Sequence, residues 1–231
     1  MFILRMADFN IRIENKFKYI EEMCKDYIVP EGEIDFSVSV NEEEIKHEAT
    51  EECNHPGYLE SLAVYRKIAE EIINRDGFLL HGVVLETEGK GVAFCAKSGT
   101  GKSTHANLWL RLLGDKCTIV NGDKPLIRIK VGEAVAYGTP WCGKEGIQKN
   151  TSVVLSGVCF LQRGKTNEIE KIPKNQVFPH LTTQIYVPQN GLQMVKTLDL
   201  IDIFVKRTDF YVLKCNMDIE AAQTAYNAII K

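Results

Sequence analysis

The stretch Gly91–His105, GVAFCAKSGTGKSTH, decides the fold expected for this chain of 231 residues. Its first part, Gly91–Cys95, is a short apolar run that predicts a buried strand. Its second part, Lys97–Gly101, is a loop of small residues, and an amphipathic segment from Lys102 to Gly114 predicts a helix. A strand, a glycine-containing loop and then Lys-Ser at a helix start form the context in which a phosphate-binding P-loop occurs.

Phosphate is the ligand that this order of elements favours. Successive backbone N–H groups of such a loop form a concave anion site, and the helix N-terminus adds N–H groups without intrahelical partners. Lys102 supplies a positive charge, and Ser103 supplies a hydroxyl for the Mg²⁺ that accompanies a nucleoside triphosphate. The predicted nucleotide-binding residues are Ser98, Gly99, Thr100, Gly101, Lys102, Ser103 and Thr104.

The motif departs from the pattern G-x-x-x-x-G-K-[ST] at its first glycine, where this chain has Ala96. Because alanine avoids positive φ, the turn that leaves the strand must not need φ > 0 at that position. Gly99 and Gly101 remain available for left-handed backbone. The alternative, a glycine-rich loop that only caps a helix, stays open.

Composition is that of a soluble globular protein, with 45% hydrophobic and 26% charged residues and a net charge of −3. No apolar run approaches the roughly 18 residues of a membrane span, and residues 1–16 alternate in polarity, unlike a signal peptide. We therefore expect a cytoplasmic location and no membrane partner. Interspersed charges indicate no nucleic-acid partner. The seven cysteines are scattered without a C-x-x-C pair, which favours reduced thiols over disulfides or a zinc site.

A single domain over residues 1–231 is predicted, with a small N-terminal α+β segment over 1–55 and the core over 56–231. Periodicity within the segment predicts a strand over 2–16, a short helix over 17–27, a strand over 34–40 and a solvated acidic stretch with at most a short helix over 41–54. The acidic runs favour a solvated face over a partner-binding surface.

Apolar strands alternate with amphipathic helices in the core, which predicts an α/β fold with a mixed sheet. The predicted elements are a helix over 56–75, strands over 78–85 and 91–95, a helix over 102–113, strands over 116–123, 126–130, 134–137 and 153–161, a helix over 192–207, a strand over 210–215 and a helix over 217–230. Residues 173–187 are predicted to pack against the rest of the core and to have no role in chemistry.

Two polar residues near the glycine loop are candidates for chemistry. Asp123 follows a predicted strand, and strand ends beside a phosphate loop face the ligand, so Asp123 can hold Mg²⁺ or take a proton from an incoming hydroxyl. Asn-Gly-Asp is also a common turn sequence. His81 falls within an apolar strand, where a lone histidine is more often a core residue.

Two further features leave alternatives open. The glycine-rich stretch Gly138–Gly146 either covers a nucleotide base or a substrate, with Lys144 facing phosphate, or forms a long surface turn. Arg163, at the end of a buried strand, is either a phosphate-stabilising cation or a solvated side chain.

Three segments together resemble the catalytic core of the HPr kinase/phosphorylase family: His81–Leu85, Gly89–Phe94 and Ser98–Thr104. The Ser-Gly-Thr-Gly-Lys run with Gly122-Asp123 is also similar to the related phosphoenolpyruvate carboxykinases, and the resemblance covers roughly residues 78–163. It implies an HPr kinase/phosphoenolpyruvate carboxykinase-like P-loop core. It also implies that His81 lies in the active site and that Asp123 acts on Mg²⁺ and the acceptor hydroxyl. The implied catalytic residues are Asp123, His81 and Lys102, and the implied metal ligands are Ser103 and Asp123.

The chain departs from these families at Asp123-Lys124, where a cation replaces the second residue of an acidic pair. Pro140–Lys144 resembles a loop of shorter HPr-kinase-like proteins, some of which phosphorylate serines outside HPr. The resemblance thus implies a Mg²⁺-dependent serine-type kinase that uses ATP, with a protein, peptide or small molecule as acceptor. A homo-oligomer is an open expectation.

Two other functions compete with this one. Lys124 favours a nucleotide-binding switch or accessory protein without transfer activity. Decarboxylase chemistry on a phosphoenolpyruvate-type substrate would need a second metal with further ligands, and no such cluster stands out in the sequence.

Overall fold

The computed structural model describes residues 1–51 and 53–231. They form two compact units, Met1–Ile72 and Ile73–Lys231. The first unit contains most of the helix over residues 56–73, which was predicted to belong with the core. Within residues 1–51 and 53–231, every helix is too short or too polar to span a lipid bilayer.

Up to the boundary between the units, the described elements are β1 (Phe2–Met6), β2 (Phe9–Glu14), α1 (Lys18–Met23), β3 (Ile28–Val29), β4 (Phe36–Ser39), α2 (Glu42–His47) and α3 (Pro56–Ile73). The four described strands form one sheet, in the order β3-β1-β2-β4.

The single strand predicted over residues 2–16 is wrong, because the chain reverses at Ala7 and Asp8. Both residues have positive φ, 51° and 66°, and β1 pairs antiparallel with β2. Alternating polarity continues across the turn, so periodicity alone could not reveal it.

The acidic stretch 41–54 contains α2, and its start follows from a capping box. The Asn41 side chain accepts a hydrogen bond from the Glu44 N–H, and the Glu44 carboxylate accepts one from the Asn41 N–H. This reciprocal pair satisfies two donors that a helix start otherwise leaves unpaired. Glu52, in the same stretch, lies outside the described residues.

The strands of the second unit are β5 (Gly77–Leu79), β6 (Val83–Thr87), β7 (Lys90–Cys95), β8 (Cys117–Asn121), β9 (Leu126–Lys130), β10 (Glu133–Tyr137), β11 (Ser152–Arg163), β12 (Glu168–Lys171) and β13 (Asp209–Cys215). Its helices are α4 (Lys102–Leu113), α5 (Phe178–Leu181), α6 (Gly191–Arg207) and α7 (Ile219–Ile229). The nine strands, all within residues 73–231, form a mixed sheet in the order β5-β9-β10-β11-β7-β6-β8, with β13 pairing β11 and β12. The predicted α/β class with a mixed sheet is confirmed.

Each face of this sheet carries its own hydrophobic core. Ala93 and Cys95 of β7 belong to a cluster that includes Phe204 of α6. Phe94, which points to the other face, belongs to a cluster that includes Trp109 of α4. The alternation of side chains along β7 therefore separates two packed layers, with helices covering both.

Strand direction brings several chain segments to one edge of the sheet. β11 is parallel to β7, whereas β6 is antiparallel to both β7 and β8. The carboxyl ends of β7, β8 and β11 and the start of β6 therefore lie along the same edge. Loops that leave these ends are neighbours in space.

The single strand predicted over residues 78–85 is wrong, because it is two strands with different partners. β5 pairs with β9, whereas β6 pairs with β7 and β8. Gly82 lies in the connection, where an added Cβ would come within 2.9 Å of the Phe94 carbonyl oxygen. His81 therefore lies in the segment that connects β5 to β6, and not within a buried strand.

The seven cysteines, all within the described residues, are free thiols, and five of them are buried. Burial raises the pKa of Cys95 to about 12. The described residues contain no group of three or more His, Cys, Asp or Glu side chains that could hold a metal ion.

Candidate functional site

The loop between β7 and α4 has the backbone that its glycines allow. Gly99 and Gly101 have φ values of 76° and 122°, a region that favours glycine. Ala96 is not among the residues with positive φ, in agreement with the requirement that the sequence placed on that position. The loop therefore takes its left-handed turns only at the two glycines.

The N-terminus of α4 is open to an anion. Gly101 is its N-cap residue and makes no side-chain capping hydrogen bond, so the N–H groups of the first turn are left for another acceptor. That turn holds Lys102, Ser103 and Thr104. Ser103 is half-buried and Thr104 is exposed. The helix dipole adds partial positive charge at this point.

Three predicted catalytic side chains meet beside this loop. His81 Nε2 lies 3.3 Å from Asp123 Oδ1 and 3.1 Å from Lys102 Nζ. The Lys102 ammonium also donates a hydrogen bond of 3.0 Å to the Ala96 carbonyl, so its side chain spans the loop. The structure thus brings together a carboxylate, an imidazole and an ammonium from three different segments.

A single ring nitrogen of His81 contacts both partners. An Nε2 that carries a proton can donate to Asp123 but cannot accept from Lys102, whereas an unprotonated Nε2 can accept from Lys102 but faces the Asp123 oxygen as a second acceptor. The proton on Nε2 therefore decides which contact is a hydrogen bond. The position of this one proton thus determines the hydrogen bonding of both Asp123 and Lys102.

Burial and neighbouring charges tune the two charged groups. Desolvation by burial lowers the pKa of Lys102, and the Asp123 and Cys95 side chains oppose that change. For Asp123, desolvation raises the pKa, but the hydrogen bond from His81 and the charges of His81, Lys124 and Lys102 outweigh it, so the net pKa is lowered. Asp123 is therefore an ionised carboxylate at neutral pH.

Backbone hydrogen bonds fix the segments that carry His81 and Asp123. The Gly82 N–H donates to the Asp123 carbonyl at 2.8 Å, and the His81 N–H donates to the Gln184 carbonyl at 2.7 Å. Gln184 belongs to the stretch over 173–187 that was predicted to be packing only. Gln184 holds His81 through its main-chain carbonyl, and such a contact cannot be predicted from the type of side chain.

Asn121 organises the turn that carries Asp123, and sequence reasoning missed it. Its side-chain oxygen accepts hydrogen bonds from the N–H groups of Asp123, at 2.9 Å, and Lys124, at 2.8 Å. Its amide nitrogen donates to the Thr139 carbonyl at 3.0 Å. Asn121 is fully buried. The Asn-Gly-Asp sequence is thus both a turn and the support of a candidate carboxylate.

The glycine-rich stretch 138–146 packs against this turn and is only in part a surface turn. Thr139, Trp141 and Cys142 are buried, whereas residues 143–147 are exposed. A Cβ added at Gly143, which has a φ of 80°, would lie 3.1 Å from Asp123 Cβ. The stretch therefore forms one wall beside Asp123. Its predicted contact with a base, a substrate or phosphate through Lys144 stays a prediction.

Arg163, for which two interpretations were open, reaches the glycine loop from the end of β11. Its Nη2 donates to the Gly99 carbonyl at 2.6 Å, and its Nε lies 3.5 Å from the Thr100 carbonyl oxygen. A cleft of about 540 Å³ lies between this strand end and the loop. Its lining residues are Lys97, Ser98, Gly99, Thr100, Leu161, Gln162 and Arg163.

Comparisons with known proteins add little to this geometry. No protein-family model and no curated protein matches the chain. Among solved structures, the chain is similar to the HPr(Ser) kinase/phosphatase from Coxiella burnetii, with 13% sequence identity over 66% of this chain and 99% of that chain. The TM-score is 0.29, which is too low to carry an argument about site or activity.

Proposed function

We propose that this protein is a Mg²⁺-dependent phosphotransferase that moves the γ-phosphoryl group of ATP to a hydroxyl, with serine in a protein, peptide or small molecule as the favoured acceptor. The observation that carries the proposal is the contact of His81 with both Asp123 and Lys102 beside the uncapped start of α4. An anion site, a cation and an ionised carboxylate within a few ångströms are the groups that phosphoryl transfer requires.

The loop and the helix start would hold the nucleotide phosphates. The N–H groups along Ser98–Thr104, apart from that of Thr100, which is bound to the Lys97 carbonyl, would supply donors. The Lys102 ammonium would supply a charge that can move from the Ala96 carbonyl to a phosphate oxygen. The lowered pKa of Lys102 reflects its desolvation, so a phosphate would restore a partner for the charged form. The loop amides and the Lys102 ammonium would together bind the phosphate oxygens.

The residues present fit a magnesium ion held mainly by phosphate and water. Ser103 offers a hydroxyl in the first helical turn, and Asp123 offers an ionised carboxylate. Mg²⁺ typically takes only one or two protein carboxylates and keeps several waters, so the lack of a larger ligand cluster in the described residues agrees with it. When bound, the ion would offset charge on the phosphate oxygens.

Asp123 would accept the proton of the acceptor hydroxyl. Its carboxylate is partly exposed, with 27% of the side chain accessible, so a substrate can reach it. His81 would orient this carboxylate by donating a hydrogen bond to it from Nε2. The acceptor oxygen would then form the new bond to phosphorus, ADP would leave, and the proton would stay on the Asp123–His81 pair until solvent removes it.

A labelled transfer assay tests the proposal. Purified protein with Mg²⁺ and γ-labelled ATP is incubated with free serine, serine-containing peptides or HPr, alongside the Lys102→Ala variant. Label on one acceptor that is absent with Lys102→Ala would support the kinase and identify its substrate class. Lys116→Ala, an exposed lysine near the end of α4, is the matched control and should behave as wild type.

Other outcomes would redirect the assignment. ATP binding with no labelled acceptor would favour the nucleotide-binding switch, for which Lys124 next to Asp123 is the supporting feature. Failure to bind ATP or pyrophosphate at all would refute the phosphate site itself.

A further inference from the structure

The Arg163 guanidinium binds carbonyl groups of the glycine loop, on the side that we call the outer side. The short hydrogen bond to the Gly99 carbonyl, at 2.6 Å, is accompanied by the longer contact to the next carbonyl, that of Thr100. A planar guanidinium can bridge two acceptors at once, whereas a lysine ammonium is a single compact charge. Two consecutive peptide groups of the loop are therefore tied to one side chain.

The backbone of Arg163 is paired within the sheet, whereas the loop that its side chain binds is not part of a strand. Arg163 is in parallel register with Cys215 of β13, and the following N–H, that of Gly164, donates to the Cys215 carbonyl at 2.8 Å. The loop instead contains Gly99 and Gly101, both with left-handed φ, and glycine gives the unrestrained chain its largest conformational freedom. Arg163 thus connects the end of a paired strand to a loop with two left-handed glycines.

Peptide geometry carries this restraint to the inner side of the loop. Because the peptide unit is planar and trans, the carbonyl of one residue and the N–H of the next point in opposite directions. Fixing the carbonyls of Gly99 and Thr100 toward Arg163 turns the N–H groups of Thr100 and Gly101 away from it. The Thr100 N–H is already bound to the Lys97 carbonyl, at 3.2 Å, which leaves the Gly101 N–H as an oriented donor.

We propose that Arg163 is a positioning residue that preorganises the phosphate loop by holding its carbonyl groups from behind. The proposal rests on the proposed function in one respect, namely that the inner side of the loop binds phosphate. Arg163 acts through the peptide planes and not by contact with the phosphate. Its effect is therefore on nucleotide affinity, since the ordering cost of the loop is met before the ligand arrives.

Amide hydrogen exchange tests the restraint without any nucleotide. In Arg163→Ala, the Thr100 amide, which is bound to the Lys97 carbonyl, should exchange faster than in wild type, and Arg163→Lys should lie between the two. The matched control is Arg207→Ala, because Arg207 is also exposed and donates to a backbone carbonyl, that of Lys130, at 2.8 Å. Equal exchange of the Thr100 amide in Arg163→Ala and wild type would overturn the proposal.

Nucleotide binding gives the second readout. We expect Arg163→Ala to raise the Kd for MgATP by about tenfold, equal to about 1.4 kcal/mol at 25 °C, with KM for ATP rising in parallel and kcat changing little. A large loss of kcat at unchanged KM would overturn the positioning role. If wild type binds no ATP or pyrophosphate, the proposed function fails, and the exchange rates alone still decide whether Arg163 orders the loop.

Discussion

The imidazole of His81 lies 3.3 Å from the carboxylate of Asp123, and the N–H of the residue after His81 donates to the Asp123 main-chain carbonyl at 2.8 Å. Side chain and backbone thus both join the segment before β6 to the turn after β8. The carboxylate has little freedom to move away from His81, and such fixed orientation is what a proton-accepting group requires.

The Asp123→Asn variant should lose phosphoryl transfer by at least about 100-fold, because an amide cannot accept the acceptor proton. ATP binding measured without Mg²⁺ should be nearly unchanged, since Asp123 is not proposed to contact the phosphates directly. Steady-state kinetics and calorimetric binding would measure the two effects. Asp115→Asn, at an exposed position after α4, serves as control. Full transfer activity in Asp123→Asn would remove Asp123 from the mechanism.

The Gly101→Ala variant should bind ATP more weakly than wild type. Gly101 has a φ of 122°, a conformation that an L-residue with a Cβ avoids, so alanine would force the helix start out of its present geometry. Gly89→Ala is the control for alanine at a positive φ, because Gly89 has a φ of 74° and an added Cβ there would meet no atom within 4 Å. Gly89 lies in the β6–β7 turn, away from the loop. If both variants reduce stability equally yet neither changes ATP affinity, the loop geometry does not serve phosphate binding.

The Gly143→Ala variant tests whether the glycine-rich stretch 138–146 shapes the acceptor side of the site. A methyl group there would approach Asp123 Cβ to 3.1 Å, so it should displace the carboxylate and lower kcat while leaving ATP affinity near wild type. Gly146→Ala has a similar left-handed φ of 66° but no neighbour within 4 Å. A kcat reduced to the same extent in both variants would show that backbone strain, and not the contact with Asp123, is responsible.

The buried His105 should make the free energy of unfolding depend on pH. Burial lowers the pKa of its imidazole from 6.5 to about 4, and its Nε2 accepts a hydrogen bond from the Trp109 indole at 3.1 Å. The unfolded chain therefore binds a proton near pH 6.5 that the folded chain does not bind until about pH 4. Stability should fall as the pH drops through this window, by roughly 3 kcal/mol in total.

Denaturant unfolding at several pH values between 7 and 4 would measure that dependence. In His105→Gln the part due to His105 should disappear, so the curve of unfolding free energy against pH should be flatter than in wild type. His47→Gln, at an exposed position in α2, should keep the wild-type slope. Parallel curves for wild type and His105→Gln would show that His105 does not cause the loss.

The local elements could be predicted from the sequence because their signals are local. The helix α4 begins at Lys102 and ends at Leu113, as its periodicity indicates, and the neighbouring loop follows from its glycines. Asp123 was a candidate because it follows a strand, and the strand direction that makes it a neighbour of the loop follows from general rules for α/β sheets. These inferences need only the order of residues along the chain.

Long-range pairing decided what the sequence left open. Residues 78–85 form one apolar run, yet β5 and β6 pair with different strands, and this break is what places His81 at the site edge. The support that Gln184 gives to His81 and the contact of Arg163 with Gly99 depend on hydrogen bonds between residues far apart in sequence. The hydrogen bond from the Asn121 side chain to the Thr139 carbonyl does so too. Residue identity and periodicity thus determined the strand, loop and helix that present a candidate phosphate site. Only the tertiary structure determined which side chains surround it, because those neighbours are set by strand pairing and main-chain hydrogen bonds that no local pattern encodes.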